Sequence, residues 1–130
     1  MTYNEMREKM LFHRIIEWDE DHITLDNNMT LKIQMTDNDC CAWAGGTFEN
    51  VVLDACITEM SEIKYNAWEN DDTYGCSARV NVFHNRNKIC EINGDADAGN
   101  GGYYYSIASF IVSMSNGKTE QVHFVGSSDE

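Results

Sequence analysis

The stretch that decides the fold is ARVNVFHNRNKICEINGDADAGNGGYYY, residues 78–105. In its first half, apolar and polar residues alternate on both sides of a short polar turn, as in two antiparallel strands joined as a hairpin. A loop of glycines and carboxylates then leads into three consecutive tyrosines. The alternation predicts a β-hairpin with one apolar face turned to a core and one polar face turned to solvent.

The polar face of this hairpin carries an aromatic side chain. Because side chains alternate between the two faces of a strand, Phe83 lies on the same face as Arg79, opposite to Val80 and Val82. A ring on a polar face can stack on a nucleobase, a contact worth about 1–3 kcal/mol. It can equally pack beneath a neighbouring strand or against a second subunit, and the pattern alone leaves both interpretations open.

The second strand of the hairpin adds polar groups to the same face. If residues 86–88 form the turn, Asn81 lies opposite Asn93, and Asp95 follows on that face. The amide of Asn93 can donate and accept hydrogen bonds at a base edge. Asp95 could accept hydrogen bonds from ribose hydroxyls, and Arg79 could pair with a phosphate. We therefore expect a pocket for a planar polar ligand on this face.

The loop after the second strand offers further candidate contacts. Its glycines could present backbone N–H groups to a phosphate, with Asn100 among them, or they could form a tight connection that needs positive φ angles. Tyr103 and Tyr105 share the parity of the polar face. The loop does not fit an EF-hand calcium site, because Ser106 stands where a bidentate glutamate is needed.

The whole chain, residues 1–130, predicts a single antiparallel domain that is mainly β, of the α+β kind, with a short N-terminal helix. The helix is expected at about residues 3–12 after a Thr2 or Asn4 cap. The β core is expected at about residues 13–125, followed by a frayed tail at 126–130.

Two segments of the β core are harder to assign. Residues 51–60 are ambiguous between a strand and a short helix, and their β-branched content favours a strand. Residues 63–68 read as a further strand. Residues 102–114 are predicted to form one long strand that includes the three tyrosines.

The charge balance excludes some partners. Nine basic residues face 22 acidic ones, a formal net charge of −13, which argues against binding a nucleic-acid polymer. The chain contains no apolar run of the roughly 20 residues that would span a bilayer, and no signal peptide. We therefore expect a soluble, intracellular protein without a membrane partner. Its five cysteines fit a reducing compartment.

The sequence presents no motif for catalysis or for a cofactor. Cys40 and Cys41 lack the spacing of a zinc site. The four histidines lie far apart in sequence without a recognisable nucleophile motif. We expect no cofactor, no metal and no enzymatic activity.

Three stretches together resemble a known family: DCCAWAGG (39–46), FHNRN (83–87) and DADAGNGGYY (95–104). They are similar to small phage and prophage proteins of the first-described Thoeris anti-defence family, and the resemblance runs from about Ile15 to Val112. It implies a non-enzymatic sponge that binds cyclic ADP-ribose signals made by bacterial TIR-domain enzymes and holds them intact. It also implies that an aromatic residue and an asparagine, here Phe83 and Asn93, contact the ligand.

The resemblance further implies a homo-oligomer, a dimer or a hexamer, with ligand sites between protomers. A separate site for cyclic oligonucleotides and a location in the cytoplasm of the bacterial host follow from the same likeness. Two alternative functions stay open. The same pocket could belong to an enzyme that hydrolyses a nucleotide second messenger, or the acidic chain could mimic nucleic acid and inhibit a host defence protein.

Overall fold

The structure is a computed structural model, and it describes residues 1–129. Its single α-helix, α1, spans Tyr3–Met10. The ten strands are β1 Ile15–Trp18, β2 His22–Leu25, β3 Thr30–Asn38, β4 Ala44–Glu49, β5 Glu59–Met60, β6 Lys64–Glu69, β7 Tyr74–His84, β8 Asn87–Asp97, β9 Ser106–Ser113 and β10 Thr119–Gly126. The prediction of a mainly β fold with antiparallel strands and a short N-terminal helix is confirmed.

The strands form two antiparallel sheets. The first sheet has the order β1-β2-β3-β9-β10. The second has the order β4-β8-β7-β5. The strands β5 and β6 both pair with the edge of β7 that faces away from β8, β6 along residues 74–79 and β5 at residues 82–83. The inner faces of the two sheets share one hydrophobic core. The outer face of the second sheet is left to solvent, and it is the polar face that the hairpin pattern predicts.

The two sheets meet closely at β8 and β10. Phe124 of β10 is fully buried, and a Cβ atom on Gly94 of β8 would overlap its ring. Phe124 also packs against Phe110, with 4.6 Å between the ring centroids. Because glycine has no side chain, the β8 backbone can lie directly on the aromatic ring.

The helix α1 begins as the sequence predicts. The side chain of Thr2 accepts a hydrogen bond from the backbone N–H of Glu5, and Glu5 bonds back to Thr2 in a capping box. The helix ends before residue 12, because Phe12 has a φ of +69°. Met6 and Met10 are buried. Within residues 1–129, no helix is long and apolar enough to cross a membrane.

The predicted register of the central hairpin is wrong. Residues 86–88 do not form the turn, because His84 pairs with Asn87 and Asn85 takes a φ of +56°. An irregularity in the pairing then follows between Val82 and Phe83. As a result Asn93 lies opposite Arg79, and Asn81 lies opposite Glu91. The shift is two residues, so the assignment of side chains to faces is unaffected.

Two predicted strands are shorter in the structure. In the segment 51–60, only Glu59–Met60 forms a strand, and Asp54 has a φ of +65°. The strand expected from residue 102 begins at Ser106, because Gly101 and Gly102 both have positive φ angles. The strand expected at 63–68 is confirmed as β6.

The sequence predicts a frayed tail from residue 126, but the structure orders this segment up to Asp129. In the structure, Ser127 is only 3% exposed, and its backbone N–H donates to the carbonyl of Ser106 over 3.0 Å. The Asp129 carboxylate accepts a hydrogen bond from the N–H of Gly126. Glu130, the last residue of the predicted tail, lies outside the described residues.

The buried aromatic pair leads to a stability prediction. Phe110→Ala should lower the free energy of unfolding by about 3–5 kcal/mol, because it removes a fully buried ring and leaves a cavity. Tyr103→Ala is the control, since Tyr103 is 86% exposed, and its effect should stay within about 0.5 kcal/mol. Urea unfolding of both variants measures the difference, and equal effects would contradict this description of the core.

Candidate functional site

The outer face of the second sheet carries its polar side chains in rows. Residues that lie opposite each other on antiparallel strands point to the same face, so the register defines which side chains are neighbours. One row crosses β4, β8, β7 and β6 through Thr47, Asn93, Arg79 and Lys64. The next row runs through Gly45, Asp95, Ser77 and Asn66. The structure thus brings Arg79, Asn93 and Asp95 of the predicted site together.

A groove of about 510 Å³ opens along these rows. It is formed by one segment from each of β6, β7 and β8, and its lining residues are Lys64, Tyr65, Asn66, Ser77, Ala78, Arg79, Asn93 and Gly94. A cavity of this size falls within the range of small-molecule sites. We call it the outer groove.

The side chain of Asn93 is held in a fixed orientation within the outer groove. Its Oδ1 accepts a hydrogen bond from Nε of Arg79 over 3.2 Å. Its Nδ2 donates to the carboxylate of Glu49 on β4. The amide therefore links a cation on one side to an anion on the other, and the guanidinium of Arg79 keeps its terminal NH groups for another partner.

Lys64 is a groove residue that the sequence reasoning missed. It lies directly opposite Arg79, so two positive side chains are neighbours on one face. Neither forms a salt bridge with a carboxylate among residues 1–129. The alternation of Lys64, Asn66 and Trp68 does place them on one strand face. The sequence could not show which strand they pair with, because the irregular segment 51–58 precedes them.

Asp95 lies at the edge of the groove and is already hydrogen-bonded. Its Oδ1 accepts from Nε1 of Trp68 over 2.8 Å and from the hydroxyl of Ser77 over 3.4 Å. The indole of Trp68 lies across Gly75, where a Cβ atom would come within 2.5 Å of the ring. A carboxylate has lone pairs beyond these two bonds, so Asp95 can still accept a hydrogen bond from a ligand hydroxyl.

Phe83 lies on the outer face but beyond the groove. Its ring is partly buried, and the residue pairs with Glu59 of β5. It is four residues from Arg79 along β7, which corresponds to about 13 Å. Between them lies Asn81, whose Oδ1 is buried and has no hydrogen-bond partner among the described residues. Buried polar atoms normally have a partner, so this atom is an exception among residues 1–129.

The remaining predicted contacts lie near the opposite end of the sheet. Asn100 is in a 3₁₀ turn at 100–102, and Tyr103 directly after it is 86% exposed. The hydroxyl of Tyr105 donates to Asp37 over 3.0 Å. This loop contacts the start of β7, which is nine residues, or roughly 30 Å, from Phe83. One small nucleotide cannot reach both ends of β7 in one chain. A ligand role for these three residues stays a prediction.

One group of side chains among residues 1–129 has the geometry of a metal site. Ligand atoms of Asp19, Asp21 and His22 lie within 4.8 Å of one another in the turn between β1 and β2. Asp19 already accepts hydrogen bonds from the backbone N–H groups of Asp21 and His22. The hydrogen bonds with Asp21 and His22 lower the pKa of Asp19 to about 2. These hydrogen bonds explain why the three side chains lie close together in a closed polar turn.

Tyr65 connects the outer groove to the core. It lines the groove, and its hydroxyl donates to the carbonyl of Phe124 over 2.7 Å. Burial, together with the negative charge of Asp129, raises the pKa of Tyr65 to about 12. The neutral phenol is therefore the form that the folded state prefers.

Comparison with known proteins gives a family but no function. A family model described as "Domain of unknown function (DUF7448)" matches residues 8–111, which include all residues that line the outer groove. No curated protein matches the chain. No solved structure matches it either.

The raised pKa of Tyr65 predicts a pH dependence of stability. The unfolded chain loses this proton near the ordinary pKa of 10.0, whereas the folded chain keeps it to about 12. The free energy of unfolding should therefore fall as the pH rises from about 10 to about 12. Tyr65→Phe should show a smaller fall in this window in urea unfolding at several pH values. Tyr103→Phe, at an exposed position, should behave like the wild type, and an unchanged slope in Tyr65→Phe would contradict the assignment.

Proposed function

The chain belongs to the DUF7448 family, a domain of unknown function, and from the outer groove we propose that it binds a small nucleotide and holds it intact. The proposed ligand is a cyclic ADP-ribose isomer of the kind made by bacterial TIR-domain enzymes, and the proposed role is phage anti-defence by sequestration. The ligand class rests on the Thoeris anti-defence resemblance together with the chemistry of the groove.

The observation that carries this proposal is the pair Lys64 and Arg79. Like charges directly opposite each other destabilise a sheet. Here two of only nine basic residues in an acidic chain form such a pair, and neither forms a salt bridge with a carboxylate among residues 1–129. A bound diphosphate would relieve the repulsion and accept hydrogen bonds from both side chains. The pair thus offers local positive charge for an anionic ligand despite the net charge of −13.

The neighbouring groups suit the rest of such a ligand. Asn93 presents an amide beside the two cations, and Asp95 can accept from ribose hydroxyls. The partly exposed ring of Phe83 lies on the same face and offers a stacking surface for adenine.

The groove is suited to holding a ligand rather than to cleaving it. Its lining residues supply two cations, two amides and two hydroxyl groups, without a histidine or a carboxylate. The carboxylate at its edge, Asp95, already accepts hydrogen bonds from Trp68 and Ser77, which make it less available as a general base. We therefore propose non-catalytic binding. The proposal includes a homo-oligomer, because β6 pairs only with β7 among the described strands and leaves its other edge beside the groove open to a second copy.

Binding can be measured by calorimetric titration with cyclic ADP-ribose isomers. Arg79→Ala and Lys64→Ala should each weaken binding by about 10- to 100-fold, since each removes a charge-assisted contact to phosphate. Phe83→Ala and Asn93→Ala should also weaken it. Lys32→Ala is the matched control, because Lys32 is an exposed lysine of the first sheet. If Arg79→Ala and Lys64→Ala both bind like the wild type, the outer groove is not the site.

The fate of the ligand separates sequestration from catalysis. The protein is incubated with the isomer that binds, then denatured by heat, and the released molecule is analysed by mass spectrometry. Recovery of the unchanged ligand at one equivalent per site is the expected result. Conversion of more than one equivalent per site would establish an enzyme that hydrolyses the signal and would refute this proposal.

A further inference from the structure

Three loops at the end of the molecule where β7 begins form one continuous surface. They are the loop between β3 and β4, the turn between β6 and β7, and the connection between β8 and β9. Backbone hydrogen bonds join them: Asp39 N–H to the carbonyl of Tyr105 over 2.9 Å, and Gly101 N–H to that of Asp72 over 2.7 Å. The loops are thus held in a fixed arrangement.

Four large aromatic side chains project from this surface. Their exposed fractions are 86% for Tyr103, 55% for Trp43, and 39% for Tyr74 and Tyr105. Large aromatic rings are usually buried, and a group of exposed ones marks an interaction site. Two of the four rest on glycine backbone, Trp43 on Gly45 and Tyr103 on Gly101. For Trp43 this contact restricts the motion of the ring, which lowers the entropy cost of binding through it.

The charge of this surface has one sign. Residues 33–63, 65–78 and 89–117, which supply all three loops, contain no lysine, arginine or histidine. Four exposed carboxylates lie among the rings, those of Asp37, Asp39, Asp71 and Asp72. The hydrogen bond from Tyr105 to the Asp37 carboxylate raises the pKa of this tyrosine. We call this region, with its four rings and four carboxylates, the acidic aromatic surface.

This composition selects among partners. Two copies of the surface in symmetric contact would bring like charges together, and a nucleic acid or an anionic lipid would be repelled. A guanidinium group matches both the aromatic rings and the carboxylates of this surface, because it stacks flat on a ring and donates two N–H groups to a carboxylate. We propose that the acidic aromatic surface docks an arginine-bearing segment of another protein. This role differs from the nucleotide contact that the sequence predicts for Tyr103 and Tyr105, and it is independent of the outer groove.

The test uses two labelled peptides of equal length and charge, one of alternating arginine and glycine and one of alternating lysine and glycine. Fluorescence anisotropy measures their binding to the full chain without any nucleotide. The arginine peptide should bind several-fold more tightly than the lysine peptide, because only the planar guanidinium stacks well on the rings. Removing two rings in Trp43→Ala/Tyr103→Ala leaves the charge unchanged and should weaken binding of the arginine peptide by about tenfold.

The control variant is Trp18→Ala. Trp18 is also partly exposed, and it precedes the acidic turn Asp19–Asp21 on the first sheet. It should not change peptide binding. If the double variant misfolds, the single variant Tyr103→Ala still tests the proposal, and it should show part of the loss in binding.

Three results would overturn the proposal. Equal affinity for the arginine and lysine peptides would mean that only net charge is recognised. An equal loss in Trp18→Ala would mean that any acidic region of the chain suffices. If sedimentation shows that Tyr103→Ala lowers self-association of the chain, the partner is a second copy rather than another protein.

Discussion

The contacts of Phe124 hold the candidate site in place. Its ring fills the space where Gly94 lacks a side chain, which sets the position of β8 on the first sheet. Its carbonyl accepts the hydrogen bond from Tyr65, which sets the position of β6. The first contact fixes Gly94 and thereby positions Asn93, which precedes it in the chain. The second contact fixes Tyr65 and thereby positions Lys64, which precedes it. The spacing of the groove is therefore determined from the core outward.

Positive and negative side chains are concentrated in different places, the outer groove and the acidic aromatic surface. Lys64 and Arg79 lie directly opposite each other on β6 and β7. At the loop end of the same sheet, carboxylates and aromatic rings gather without a single cation from the segments that form the surface. Each arrangement is electrostatically unfavourable on its own, and a partner of opposite charge would relieve it, as both proposals require.

The sequence predicts which strand residues face the core, but it predicts neither the hairpin register nor Lys64 as a site residue. The period of two assigns Val80 to the core and Arg79 to the outer face, because a strand with one buried face permits no other pattern. The prediction of the register fails because the register depends on the positive φ of Asn85 and on the irregular pairing beside Phe83, where the adjacent residues Ile89 and Cys90 are both buried. The sequence does not identify Lys64 as a site residue, because only tertiary contacts determine which strand β6 pairs with.

The outer groove is built from side chains that contribute little to the core. Arg79, Asn93 and Lys64 point away from the residues that pack between the sheets, such as Val80 and Ile92. A substitution among the outward residues can therefore change what is recognised without endangering folding. The same backbone can therefore carry a different set of outward side chains at little cost in stability, because recognition and core packing rest on separate residues.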